Sequence, residues 1–119
     1  MAELPDLTNF YCSVHTQQGP EEVARFFTPP DWRVRKCSWT DYEAQSDFAE
    51  VVIESSGPIL VHGPVANVLV NSLRITKLFA AAGLAGTFEC YDESDALIFQ
   101  KRFGSSVGGT KSAPEMDWR

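Results

Sequence analysis

The sequence predicts an α+β domain of two layers: a mainly antiparallel sheet with two helices on one face. Three observations carry this prediction. The stretch from Pro58 to Gly86 reads as a strand running through a tight turn into the longest helix. Short runs of period-two alternation, separated by turn residues, lie on both sides of it, as half-buried strands require. Helical spacing occurs in just two segments, which most economically cover one face of a sheet built from short antiparallel connections.

In chain order, residues 8–15 alternate, with Phe10, Cys12 and Val14 on one side and Tyr11, Ser13 and His15 on the other. This is the period of a first strand. After a turn at Gln17-Gln18-Gly19, Pro20 with Glu21 and Glu22 opens a short helix. Proline loses no hydrogen bond at the first helical position, and the carboxylates suit the positive end of the dipole. Val23, Phe26 and Phe27 anchor this helix, and Pro29-Pro30 ends it. Residues 32–44 are rich in strand formers but change phase, Trp32 and Val34 sharing one side and Cys37 and Trp39 the other. One strand with a bulge near Arg35-Lys36 is expected. Gln45-Ser46-Asp47 then forms a hairpin connection into residues 48–54, with Ala49, Val51 and Ile53 pointing one way.

The run Ile59-Leu60-Val61-His62, between Ser56-Gly57-Pro58 and Gly63-Pro64, predicts a strand buried on both faces. In the helix that follows, Asn67, Asn71, Arg74 and Lys77 fall on one side, so the opposite side faces the core. Ser72 and Thr76 lie at the centre of that apolar side, where small residues allow close approach to a sheet and the hydroxyls bond back to helix carbonyls. Gly83 is the expected stop. Residues 87–91 and 97–103, joined at Glu93-Ser94-Asp95, form a last hairpin. The order is thus β-α-β-β-β-α-β-β. Residues 1–104 make a single domain, and 105–119, polar and glycine-rich but ending near Met116 and Trp118, make a flexible or docked tail.

Composition narrows the function classes. A chain of 119 residues that is 44% hydrophobic is long enough to bury a core without a staple. No window is apolar enough to span a membrane, and no signal peptide opens the chain, so the cytoplasm is the expected compartment. Cys12, Cys37 and Cys90 are odd in number and far apart, which predicts buried free thiols and no metal site. A net charge of −6 argues against nucleic acid or an anionic membrane as partner. No cofactor motif is present.

Two functional readings follow, because the sequence identifies a fold class and no chemistry. The first is a non-catalytic protein-binding module. No Lys or Arg occurs between Lys36 and Arg74, whereas Asp41, Glu43, Asp47, Glu50 and Glu54 do, and Glu89, Asp92, Glu93 and Asp95 form a second acidic run. If the two hairpins are neighbours, Trp39, Asp41, Tyr42, Glu43, Tyr91 and Asp92 form one acidic, aromatic rim fit to neutralise a basic partner. Trp39, Tyr42, Val52 and Tyr91, left on the open side of the sheet, also predict a homodimer. The second reading is a small-molecule-binding protein or enzyme with a pocket between the long helix and the sheet, its polar groups supplied by His62, Ser72 and Thr76.

Overall fold

A computed structural model describes residues 4–55 and 58–104. The expected tail, residues 105–119, lies outside the described residues. Among those described, seven strands and two helices follow in the order β1 (Phe10–His15), α1 (Pro20–Ala24), β2 (Arg33–Lys36), β3 (Tyr42–Gln45), β4 (Glu50–Ser55), β5 (Ile59–Gly63), α2 (Val68–Ala81), β6 (Ala85–Tyr91) and β7 (Leu97–Phe103). The strands form one sheet, β2-β3-β4-β5-β1-β6-β7, in which every neighbouring pair is antiparallel. This is the expected α+β two-layer domain. No helix of the described residues is long and apolar enough to cross a membrane.

The first strand becomes an inner strand of the sheet. Phe10, Cys12 and Val14 are buried, and β1 pairs with β5 on one side and β6 on the other. The chain from β5 must therefore pass over β1 to reach β6, and α2 makes that crossing, lying on β1, β6 and β7. Gly83, at φ +83°, turns the chain out of α2 in the left-handed conformation that glycine adopts without steric cost. α1 begins as its sequence directs, the Glu22 side chain accepting a hydrogen bond from the Gly19 amide at 2.9 Å, and it packs on β3 and β4.

Both helices cover the same face, and the layer beneath them is a continuous line of aromatic rings. Trp32 meets Phe27 at 4.8 Å between centroids, Phe27 meets Phe79 at 5.7 Å, Phe79 meets Phe103 at 5.9 Å, and Phe88 joins Phe103 to Phe10 at 6.4 and 6.0 Å. The Arg74 guanidinium closes one end of this layer over Phe48 at 4.3 Å. A polar latch fixes the exit of β5: the Asn9 side chain donates to the Val65 carbonyl at 2.9 Å and accepts from its amide at 2.8 Å. Val65 is fully buried, so the latch satisfies two backbone groups that water cannot reach.

Four expectations are corrected. Residues 32–44 form no bulged strand. They form the hairpin β2–β3, with the turn at 37–41 held by the Asp41 carbonyl, which accepts from Cys37 and Ser38 at 3.0 and 3.3 Å, and by the Ser38 hydroxyl, which accepts from the Asp41 amide at 3.1 Å. The change of phase marks a reversal of the chain, and Trp39 stands at its tip, 91% exposed. Second, β5 is half-buried: Ile59 and Val61 face the helices, while Leu60 and His62 take the other side. Third, α2 is rotated toward Asn71, which is buried and donates to the Ala66 carbonyl at 2.7 Å, leaving Leu69, Val70 and Leu73 partly exposed. Last, Cys37 is exposed, whereas Cys12 and Cys90 are buried.

Candidate functional site

Alternation along each strand sends one set of side chains under the helices and the other to a face that neither helix covers. The rows across that second face follow from the register. Arg35 stands opposite Glu43, Glu43 opposite Val52, Val52 opposite His62, His62 opposite Tyr11, and Tyr11 opposite Glu89. Its centre is aromatic. The Tyr11 ring stacks on His62 with centroids 6.2 Å apart and meets the Tyr91 ring edge-on at 5.5 Å and 86°.

The polar groups of this face are joined in pairs. Arg35 donates to the Glu43 carboxylate at 2.7 Å, and His62 Nε2 to the Glu54 carboxylate at 2.5 Å. The Tyr91 hydroxyl donates to Glu89 at 2.7 Å. That bond, with the further charge of Asp95 nearby, pushes the Tyr91 phenol above its ordinary pKa, because the phenolate would sit beside carboxylates. A hollow of about 380 Å³ opens here, lined by Tyr11, Ser13, Leu60, Thr87, Phe88, Glu89, Tyr91 and Asp95. A second, of about 330 Å³, lies beside α1 against β2 and β3.

The fold separates the expected rim. β2–β3 and β6–β7 are the two edges of the sheet, and with alternate strands antiparallel their turns stand at opposite ends of it. Trp39, Asp41 and Glu43 therefore lie across the sheet from Tyr91 and Asp92. Tyr42 leaves the group altogether, since it shares the covered face with Ala44 and lines the hollow beside α1. Asp92 is occupied in its own turn, where one carboxylate oxygen accepts from the Ser94 amide and hydroxyl, both at 2.9 Å, and from the Ala96 amide at 3.0 Å.

These turn bonds hold Asp92 below its ordinary pKa of 3.8, the Ala96 amide contributing most. Because the folded value is the lower one, the stabilisation is complete above the unfolded value and is lost as pH falls through the folded one. An Asp92→Asn variant keeps an acceptor in the turn without the charge. Its deficit in melting temperature relative to the parent is expected at neutral pH and should vanish on acidification well below pH 3.8. A deficit independent of pH would refute the assignment.

His62, Ser72 and Thr76 are likewise kept apart, because the sheet stands between them. His62 is on the uncovered face, whereas Ser72 and Thr76 are 0% and 3% exposed beneath α2. The Thr76 hydroxyl donates to the Ser72 carbonyl at 3.0 Å, and the Ser72 hydroxyl to the Leu69 carbonyl at 3.3 Å. Small hydroxyl residues here let the helix approach the sheet, and the hydroxyls bond within the helix. Burial pushes the thiols of Cys12 and Cys90 above the ordinary range, which suits packing and not nucleophilic chemistry. Among the described residues no group of three His, Cys, Asp or Glu is placed to hold a metal ion.

Sequence reasoning singled out His62 and Tyr91 and placed Glu89 and Asp95 in an acidic run beside Tyr91, but missed Tyr11 and Leu60 as their neighbours. The alternation of residues 8–15 already placed Tyr11 on the solvent side. What it lacked was the pairing of β1 with both β5 and β6. No protein family, curated protein or solved structure was found to match this chain.

Proposed function

We propose that this chain is a non-catalytic module that binds another protein through the uncovered face of its sheet. The observation that carries the reading is the cluster of Tyr11, His62 and Tyr91 with Leu60 and Val52 on a face that neither helix covers. Tyrosines are effective anchors in interfaces, since they bury a large apolar body while the hydroxyl keeps a polar partner. Val52 and Leu60 add apolar area between them. A net charge of −6 favours a basic partner, for which opposite charge speeds encounter. The rim spanning both hairpins has no part in this reading; the central strands replace it. Three free thiols support a reducing compartment, with the cytoplasm proposed as the location.

A photo-cross-linking residue placed singly at Leu60, Trp39 or Leu69 in cells of the native host tests the proposal. Leu60 should capture a distinct protein, and Leu69, on the outer side of α2, should not. Capture confined to Leu69 or to Trp39 would move the interface off the sheet and refute the reading. Capture of a second copy by Leu60, with a dimer in sedimentation, would assign the face to self-association instead.

A further inference from the structure

We infer that the hollow bordered by Tyr11 and Tyr91 receives an arginine side chain of the protein partner, an inference that rests on the face that neither helix covers being the binding surface. The two rings stand 5.5 Å apart and nearly perpendicular, so they form two walls of a corner. Tyr11 is held in place from behind by its stack on His62, which is itself fixed by Glu54. Glu89 and Asp95 complete the lining, and no Lys or Arg is among the lining residues. The hydrogen bonds that Glu89 accepts from Tyr91 and Gln100 come from neutral donors, which orient the carboxylate and leave its charge in place.

A cation over a tyrosine face is attracted by the ring quadrupole, and carboxylates at the same spot add charge-assisted hydrogen bonds. Arginine satisfies both at once: its planar guanidinium stacks on one ring while its edge offers parallel donors to a carboxylate. The Tyr91 phenol, pushed up first by its hydrogen bond to Glu89 and further by the charges of Glu89 and Asp95, is held neutral in this lining. The volume of about 380 Å³ admits a whole side chain and falls at the low end of small-ligand sites, which span roughly 300–1,000 Å³. A second copy fits less well. Two chains of −6 repel, and stacking the faces about a two-fold axis would bring like carboxylates together.

The test uses the full chain, isotope-labelled for NMR, and a capped pentapeptide with one central arginine among glycines as probe. Saturable shifts should appear at Tyr11, Glu89 and Tyr91. The same peptide carrying citrulline, the neutral isostere, should bind roughly tenfold more weakly. Raising ionic strength from about 0.05 to about 0.5 M should weaken the arginine peptide and spare the citrulline one. A Glu89→Gln, Asp95→Asn double variant with an unchanged spectrum elsewhere should lose the preference. Equal binding of the two peptides, or no shift in the hollow, would overturn the inference. Cross-linking from Leu60 would stand in that case, so loss of the arginine pocket is distinguishable from loss of the binding face.

Discussion

Replacing Phe79 with alanine is expected to lower the stability of the domain by about 4 kcal/mol, the range found for a fully buried phenylalanine whose site collapses poorly. Phe79 is 0% exposed and touches Phe26 and Phe27 at 6.4 and 5.7 Å on one side and Phe103 at 5.9 Å on the other. It is the link through which the core under α1 continues into the core under α2. A cavity here cannot be filled by a neighbour's rotation, because the rings on both sides are anchored to different elements. For a domain of this size the melting temperature should fall by roughly 15 °C. Chemical denaturation with an unchanged slope would show that the native state was weakened and the denatured state left alone. A loss below about 1.5 kcal/mol would mean that the two halves of the core are independent. Phe99→Ala is the control, since Phe99 is partly exposed and stands at the margin of the cluster.

The importance of Phe79 was visible in the sequence only as a helical period. Counted at helical spacing, Val68, Ile75 and Phe79 fall on the apolar side with Ser72 and Thr76, and all three are buried. The same period puts Asn71 with Asn67, Arg74 and Lys77 on the side away from the core. The structure buries Asn71 because the chain entering α2 offers the Ala66 carbonyl to its side chain. That partner is set by the loop, and no periodicity reports it. The rotation that follows exposes Leu69, Val70 and Leu73, which a rule of apolar inside and polar outside would have reversed.

The hairpin at residues 33–45 fails to read for a different reason. A bulge and a reversal both shift the phase of alternation, and Ser38-Trp39-Thr40-Asp41 holds no glycine or proline to tell them apart. The turn is built instead by a serine hydroxyl and a backbone carbonyl. Strand order is the larger loss. Pairing β1 between β5 and β6 joins residues 45 (Val14 with Ile59) to 80 (Phe10 with Cys90) positions apart, and that choice alone gathers Tyr11, His62 and Tyr91 while sending the two hairpins to opposite edges. Local patterns say which face a residue takes; they do not say which residues become its neighbours across the sheet.

Gly86→Val tests whether the covered layer sets the shape of the uncovered one. Gly86 stands opposite Val14 on one side and Phe103 on the other. A Cβ there would fall on the Ser13 carbonyl oxygen and within 2.8 Å of the Phe103 ring. The ring can turn aside, but the carbonyl belongs to an inner strand paired on both sides and cannot yield without displacing β1 or β6. A cost of about 3 kcal/mol or more is expected, the upper range for inserting atoms into a packed site. Introducing Gly86→Ala into a Phe103→Ala background separates the two obstacles, since the ring is gone and the carbonyl remains. If the backbone dominates, the alanine should still cost more than about 2 kcal/mol there. A cost near zero would mean that the glycine serves the aromatic ring alone. Where the variant folds, β6 must shift at the residue preceding Thr87, and Glu89 and Tyr91 lie on the same strand. A glycine facing the helices therefore fixes the position of side chains on the opposite face, and its substitution should weaken the arginine-peptide shifts while leaving the side chains of Tyr11, Glu89 and Tyr91 chemically unchanged.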